Sequence, residues 1–192
     1  MIRATVLGAL AAAALSILLA GCNQDIADLP KPPPQEPTAT SVAYFCSMGL
    51  LEHGGPKAQA FRVGKSEPLW FSSVRDAVAF SILPGEPKDI VAIYVNDMAK
   101  VRNWDRPEAG AWVEAHDAWY AIGSDYNAGM GGKEAVPFSD ENVARSFTAA
   151  HGGTIVRFDD IPEKYILESD ESDGVADMSA GESKSPKPVV KQ

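Results

Sequence analysis

The hydrophobic pattern between residues 42 and 99 predicts two strands, a helix and a third strand. Apolar residues within 59–63 and 70–71 predict the first two strands, and the apolar run 90–95 predicts the third. Between them, helical spacing brings four apolar residues to one face: Val74, Ala77, Val78 and Ile82. Ser72 or Ser73 is suited to cap the start of this helix.

A second copy of this order follows about 67 residues later, with Phe138-Ser139 matching Phe71-Ser72. Apolar stretches predict strands over 112–122, 136–138 and 154–158. The helix before the last strand is predicted to begin at Ser139 or Asp140, to end at Gly152-Gly153, and to bury Val143, Phe147 and Ala150. We therefore predict an α+β fold with two related ββαβ units, about 42–99 and 100–168.

The first 21 residues have the features of a secretory signal. Arg3 is followed by an apolar stretch over 6–20, which is short for a membrane span, although an uncleaved anchor helix stays open. Leu19-Ala20-Gly21-Cys22 resembles a bacterial lipobox, which predicts cleavage before Cys22 and lipid attachment to it. The mature protein is then expected on the periplasmic side of a bacterial membrane.

Two further segments have a composition typical of chain outside a folded domain. Residues 22–41 contain five prolines, which predict an extended, lipidated tether. Residues 169–192 are rich in charged and small residues, which predicts a disordered tail. The folded domain is accordingly expected over 42–168.

Charge and motif content exclude several classes of function. The net charge of −9 leaves no general basic field for nucleic acid. The sequence contains no clustered Cys/His set for structural zinc, no G-x-S-x-G, no H-E-x-x-H and no glycine-rich phosphate loop. We therefore expect that the protein is not an enzyme, although a thiol-based redox enzyme stays open.

The segment Cys46-Ser47-Met48 carries the most specific chemistry. Cys46 would be the only unmodified thiol of an exported chain, and a thioether lies two positions away. Thiolate and thioether are the ligands that Cu(I) prefers. On an extended or looped segment, but not on a helix, both sulfurs can face one ion. The alternative is that Cys46 and Met48 fill the core.

Other soft or borderline ligands are few. Met130 lies in the glycine-rich loop Asn127-Ala128-Gly129-Met130-Gly131-Gly132 and is a candidate third sulfur ligand. His53 follows Met48 by five residues in another turn-rich segment and is a candidate nitrogen ligand. Met98 is a minor candidate, and His116 and His151 are expected to be structural.

The motif and the segments around it resemble the NosL family, copper-binding accessory lipoproteins of nitrous oxide reductase. The similarity rests on Cys46-Ser47-Met48 with Glu52-His53-Gly54-Gly55-Pro56-Lys57-Ala58-Gln59, and extends to 92–97, 112–123, Gly129-Met130-Gly131 and His151-Gly152-Gly153. It implies two ββαβ units, Cu(I) bound by Cys46 and Met48, and a matching position for Met130; His53 matches a recurrent histidine. Some relatives carry a second cysteine before the motif, where this chain has Val42 and Ala43.

The resemblance implies a membrane-anchored Cu(I) chaperone that supplies the copper–sulfide centre of nitrous oxide reductase. Its implied partners are the reductase, a membrane transporter-type assembly and, through Cys22, the membrane itself. The main alternative is a tethered interaction or assembly module in which Cys46 is buried and inert.

Overall fold

The computed structural model describes residues 25–127, 129 and 131–167. The predicted signal, Cys22, Met130 and the predicted tail lie outside the described residues. The elements are, in chain order, β1 (Ala58–Arg62), β2 (Leu69–Phe71), α1 (Val74–Ile82), β3 (Ile90–Asn96), β4 (Trp112–Glu114), β5 (Trp119–Ile122), β6 (Val136–Phe138), α2 (Glu141–His151), β7 (Thr154–Val156) and α3 (Glu163–Leu167).

Two antiparallel sheets confirm the α+β class and the repeated strand order. The first sheet has the order β2-β1-β3-β4 and the second β6-β5-β7. In both sheets the first strand of the unit lies between the second strand and the strand that follows the helix. Both copies of the sequence pattern therefore fold with the same ββαβ topology.

Side-chain caps begin both long helices where the sequence predicts them. The Ser73 hydroxyl accepts a hydrogen bond from the Asp76 N–H at 3.0 Å, and the Asp140 carboxylate accepts one from the Asn142 N–H at 2.7 Å. Each cap satisfies a backbone donor that has no partner within the helix. Gly152, at φ 73°, ends α2, a conformation that favours glycine.

The structure differs from the predicted pattern over 112–122 and on the buried face of α2. The strand expected over 112–122 is two strands in different sheets, separated by the 3-10 helix Ala115–Asp117. The Glu114 carboxylate accepts from the His116 N–H at 2.9 Å and caps this turn, so the prediction of a strand around His116 is wrong. On α2 the buried face is Ala144 and Phe147, whereas Val143 and Ala150 are exposed.

The two units share one core. Phe71, Val74 and Phe80 of the first unit lie in one cluster with Tyr120 and Ala135 of the second. A second cluster contains Met98, Phe138 and Phe147, with Trp104 stacked on Phe147 at 5.3 Å between ring centroids. Met98 is 2% exposed there, so its side chain is a packing residue.

The proline-rich segment lies against the first sheet, which differs from the detached tether expected over 22–41. Gln35 and the buried Gln59 exchange two hydrogen bonds of 2.8 and 2.9 Å. Tyr94 donates to the Pro32 carbonyl, and Lys31 pairs with Glu114 at 3.2 Å. Proline prevents helix but leaves carbonyls free to accept such bonds, and the folded region therefore begins before residue 42. None of the helices within the described residues is long and apolar enough to cross a membrane.

Candidate metal centre

Cys46 and Met48 lie on a tight loop at the edge of the first sheet. The Ala43 N–H donates to the Met48 carbonyl and the Ser47 N–H to the Ala43 carbonyl, both at 2.9 Å. Ser47 has φ 56°, a left-handed conformation that is uncommon for a residue with a side chain. This geometry confirms the prediction of a looped rather than helical segment.

Neither sulfur-bearing side chain is sealed in the core. Cys46 forms no disulfide within the part of the chain that the structure describes and is only half-buried, and Met48 is 43% exposed. Core cysteines are usually fully buried, so this position does not fit the alternative of a buried, inert Cys46. A thiol and a thioether are instead partly accessible from solvent.

Aromatic packing anchors the loop from beneath. Tyr44 lies 5.2 Å from Phe80 and 5.9 Å from Phe71 between ring centroids, and Phe45 lies 6.0 Å from Phe71. The Tyr44 hydroxyl donates to Glu86 at 2.8 Å, and this bond to a carboxylate raises the pKa of Tyr44. These contacts fix the residues that precede Cys46, while Cys46 itself stays only half-buried.

His53 follows a 3-10 turn, Leu50–Glu52, and lines a neighbouring cavity of about 130 Å³. Its Nε2 is buried and has no hydrogen-bond partner among the described residues. Asp105, Lys57 and Trp112 also line this cavity, whereas Tyr44, Ser47 and Trp70 line the groove beside the Cys46 loop. The structure thus places His53 near the motif but in a separate cavity, and its role as a ligand stays a prediction.

The loop that carries Met130 meets the loop that carries His53. Gly129 is so close to the backbone of Gly54 that a Cβ on Gly129 would collide with the Gly54 carbonyl oxygen. A Cβ on Gly55, at φ 82°, would lie 3.0 Å from the Tyr126 hydroxyl. Glycines therefore permit this close approach. Met130 itself is outside the described residues, so its role also stays a prediction.

Two buried charged residues that sequence reasoning missed support these loops. The Lys57 ammonium donates to the carbonyls of Gly54 and Gly55 at 2.9 and 2.7 Å, and burial lowers the pKa of Lys57 to about 8. A Glu134 carboxylate oxygen accepts from the Arg75 N–H at 2.9 Å, at the start of α1. Complete burial raises the pKa of Glu134 to about 7. In the sequence, each of them is recognisable only as a charged residue next to a predicted strand.

The other two histidines are engaged in structural contacts, as expected. His116 bonds Glu114 at 3.1 Å, which raises the pKa of His116, and packs on Phe158. His151 bonds Asp125 at 2.9 Å and stacks on Phe147. Over residues 25–127, 129 and 131–167, moreover, no three His, Cys, Asp or Glu side chains converge as a metal site. The two sulfurs of the Cys46 loop, both partly exposed, are a donor set that suits a soft ion.

Comparisons with known proteins agree with this chemistry. A family model described as NosL matches residues 34–166. The chain is 45% identical over 159 residues to the copper-binding lipoprotein NosL of Achromobacter cycloclastes, covering 82% of this chain and 81% of that protein. It is 27% identical over 162 residues to the copper-binding lipoprotein NosL of Stutzerimonas stutzeri, covering 84% and 83%.

A solved structure shares the fold. The crystal structure of the copper chaperone NosL from Shewanella denitrificans superposes with a TM-score of 0.62 at 29% identity, covering 69% of this chain and 98% of that one. The names of these proteins describe copper binding and a chaperone role, not an enzymatic reaction.

Proposed function

This chain belongs to the NosL family, and from that premise we propose that it is a membrane-anchored Cu(I) chaperone that delivers copper for the copper–sulfide centre of nitrous oxide reductase. The proposal includes lipid on Cys22, a location on the periplasmic side of a bacterial membrane, and a membrane transporter-type assembly as a further partner. Copper is the cargo of this protein, bound and released without chemical change.

One observation carries the proposal: a thiol and a thioether on a fixed loop that is open to solvent. Cys46 is half-buried and Met48 is 43% exposed, while the backbone bonds from Ala43 to Met48 and from Ser47 to Ala43 hold the loop closed. A soft ion gains two matched donors there at little cost in ordering. An open position lets a partner replace those donors one at a time.

Copper transfer requires no electron donor or acceptor. Binding of Cu(I) converts the Cys46 thiol to a thiolate and releases its proton, and release of copper to the acceptor returns the proton. Copper remains Cu(I) throughout. Met48 is a neutral donor in this step, Met130 is the proposed third ligand that closes the site, and His53 is the further candidate.

The test is titration of the full mature chain with Cu(I) under reducing conditions, in competition with a Cu(I) chelator. We expect one tightly bound ion, no tight binding in Cys46→Ala, and weaker binding in Met48→Leu and Met130→Leu. Met98→Leu is the matched control, because Met98 is 2% exposed in the core and its substitution should leave affinity unchanged.

The results separate the candidate functions. Wild-type affinity in Cys46→Ala would remove Cys46 from the site and overturn the proposal. Turnover of disulfide or peroxide substrates without copper would instead support a thiol-based redox enzyme. His53→Ala, measured in the same titration, decides whether the orphan Nε2 contributes to the site.

A further inference from the structure

An apolar surface surrounds the loop that carries Cys46 and Met48, which we call the sulfur loop. Five large hydrophobic side chains within ten residues are exposed, and we call them the apolar rim: Val42 (55%), Tyr44 (39%), Phe45 (43%), Met48 (43%) and Leu51 (50%). Elsewhere in the described part of the chain the exposed large hydrophobics are dispersed: Ile26, Val63, Val143 and Leu167. A contiguous exposed apolar patch is typical of a surface that is covered by a partner.

The apolar rim is also rigid. The Tyr44 N–H donates to the Trp70 carbonyl at 2.8 Å, and Leu50, fully buried, donates its N–H to the Ser41 carbonyl at 2.8 Å. Phe45 is held edge-on to Tyr44 at 5.2 Å between centroids while much of its ring stays exposed. Aromatic side chains that are already ordered lose little entropy on binding, which is the property of interface anchor residues.

Carboxylates border the apolar rim on several sides. Glu67 lines the groove together with Tyr44 and Ser47, and Glu86 accepts the Tyr44 hydroxyl. The Glu52 side chain folds back over Gly49. These three glutamates give the edge of the surface a negative charge.

Two arginines near this surface are matched by aspartates rather than by the glutamate border. Arg62, which acts on Tyr44 electrostatically, is bound by both carboxylate oxygens of Asp89 at 2.7 and 3.1 Å. On the Leu51 side, Arg106 and Asp105 line the same shallow cavity and balance each other. A negative border disfavours docking on an anionic membrane surface and favours a partner that carries Lys or Arg.

We propose that the apolar rim is the docking surface for a protein acceptor whose own copper-accepting site is apolar and bordered by Lys or Arg. This inference rests on the proposed function and adds the chemistry of the partner to it. Docking of two apolar surfaces excludes water around the Cu–S bonds, and the glutamate border orients the acceptor before contact. Phe45 and Leu51 are anchor residues in this arrangement and are not ligands.

The experiment compares copper release to a protein with release to a small molecule. The full mature chain in detergent micelles, loaded with Cu(I), is mixed either with copper-free nitrous oxide reductase or with a small chelator. The test variants are Phe45→Ser with Leu51→Ser, and Glu52→Lys with Glu67→Lys. The matched controls are Val63→Ser with Val143→Ser, and Glu163→Lys, which alter similar side chains away from the sulfur loop.

We expect the Phe45/Leu51 variant to transfer copper to the reductase at least about tenfold more slowly, because truncation of anchor residues has the largest effect at interfaces. Leu51→Ser alone, which leaves the aromatic contacts of the Cys46 loop intact, should slow this transfer in the same direction while its Cu(I) affinity and its release to the chelator stay at wild-type values. Added salt should slow wild-type transfer, and this salt dependence should be lost in the Glu52/Glu67 variant. Both controls should behave as wild type.

Wild-type transfer by the Phe45/Leu51 variant, or a salt dependence unchanged in the Glu52/Glu67 variant, would overturn the docking proposal while leaving copper binding intact. Failure of the wild type to bind Cu(I) would instead overturn the proposed function. If the wild type binds copper but passes none to the reductase, this acceptor is wrong and the docking proposal fails for it. In chains that also carry Cys22→Ser and therefore lack the lipid, binding to neutral phosphatidylcholine vesicles by the otherwise wild-type protein, but not by the Phe45/Leu51 variant, would identify the surface as a membrane contact and overturn the proposal as well.

Discussion

The two ββαβ units use the same edge position in opposite ways. In the first unit the Tyr44 N–H donates to the carbonyl of Trp70 on β2 at 2.8 Å. In the second unit the Met98 N–H donates at 2.9 Å to the carbonyl of Pro137, the residue of β6 that is equivalent to Trp70. In both units, therefore, a short segment that precedes the first strand of the unit covers the outer edge of the sheet, which is formed by the second strand.

Beyond this hydrogen bond the chain takes a different path in each unit. At Met98 the chain turns inward, where Asp97 accepts from the Ala99 and Ser139 N–H groups and pairs with Lys100 at 2.9 Å. At Tyr44 the chain turns outward and presents Cys46 and Met48. The same strand arrangement thus accommodates a buried methionine, Met98, in one unit and an exposed one, Met48, in the other. The sequence next to a methionine therefore does not by itself decide whether its sulfur is available as a ligand.

The hairpin connections differ as well. Six residues, 63–68, join β1 to β2, whereas thirteen, 123–135, join β5 to β6. The longer connection reaches the first unit, where Gly129 meets Gly54 and Glu134 caps α1. Stability of the sulfur loop's surroundings therefore depends on the second unit.

The largest expected effect is a change in folding stability with pH, caused by Glu134 of this longer connection. Complete burial raises the pKa of Glu134 from its ordinary value of 4.5 to about 7, so the folded state binds more protons than the unfolded state between these values. The contribution of this group to the free energy of unfolding is roughly 3 kcal/mol. It is fully present below pH 4.5 and is lost as pH rises through 7. Glu134→Gln keeps the oxygen that caps α1 and should remove this slope, as measured by urea unfolding from about pH 4 to 10.5.

Lys57 makes the control for this measurement. Burial lowers the pKa of Lys57 to about 8, so the folded state binds fewer protons than the unfolded state between about 8 and 10.5, and stability rises with pH in that separate window. The Glu134 charge partly offsets this lowering, so the Glu134→Gln variant should retain that rise and make it somewhat larger. Equal slopes for wild type and variant between pH 4.5 and 7 would contradict the assignment of the buried carboxyl.

A smaller effect is expected when the glycine contact is broken. In Gly129→Ala the new Cβ would run into the Gly54 carbonyl oxygen, so the two loops must separate at a cost of about 2 kcal/mol. Cu(I) affinity should fall in parallel if Met130 is a ligand. Gly85→Ala is the control, because a Cβ there meets nothing within 4 Å. A Gly129→Ala protein with wild-type stability would show that the loops do not depend on this contact.

Local patterns predicted the elements but not the contacts between distant segments. Ser73 and Asp140 begin helices as expected because capping depends on residues within one turn. The break at Ala115–Asp117 was missed because the apolar residues Ala115 and Ala118 continue the hydrophobic pattern of the strands on either side. Docking of the proline-rich segment was missed because its partners, Gln59 and Tyr94, follow it by many residues.

The residues of the candidate site also fall into a group that the sequence could predict and a group that it could not. Cys46 and Met48 could be found because their chemistry and spacing lie within three residues, and the loop they require is the one observed. Lys57, Glu134 and the Gly54–Gly129 contact could not be found, because each acts through a segment far away in the chain. Pattern reasoning thus found the proposed donors and missed the residues that support them.

The docked proline-rich segment covers the first sheet, and its contacts there can be broken one at a time. Gln59→Leu removes both hydrogen bonds to Gln35 and should cost about 1–2 kcal/mol and speed hydrogen exchange of the Gln35 amide. Tyr94→Phe, which removes the bond to Pro32, should act in the same direction but less. Tyr120→Phe is the control in the second unit, since its hydroxyl bonds Ala115. Unchanged exchange at Gln35 in Gln59→Leu would mean that this segment is held by other contacts.

The smallest expected effect tests the backbone of the sulfur loop itself. Ser47 has φ 56°, which a β-branched residue adopts only with strain, so Ser47→Val should cost about 1–2 kcal/mol, whereas Ser47→Gly should change stability by less than about 0.5 kcal/mol. Thermal unfolding measures both. Because the left-handed residue sets the turn between Cys46 and Met48, Cu(I) affinity should fall in Ser47→Val and be retained in Ser47→Gly. Equal stability of the two variants would show that the loop adjusts its backbone freely, and the sulfur positions would then be imposed by the ion rather than prepared by the fold.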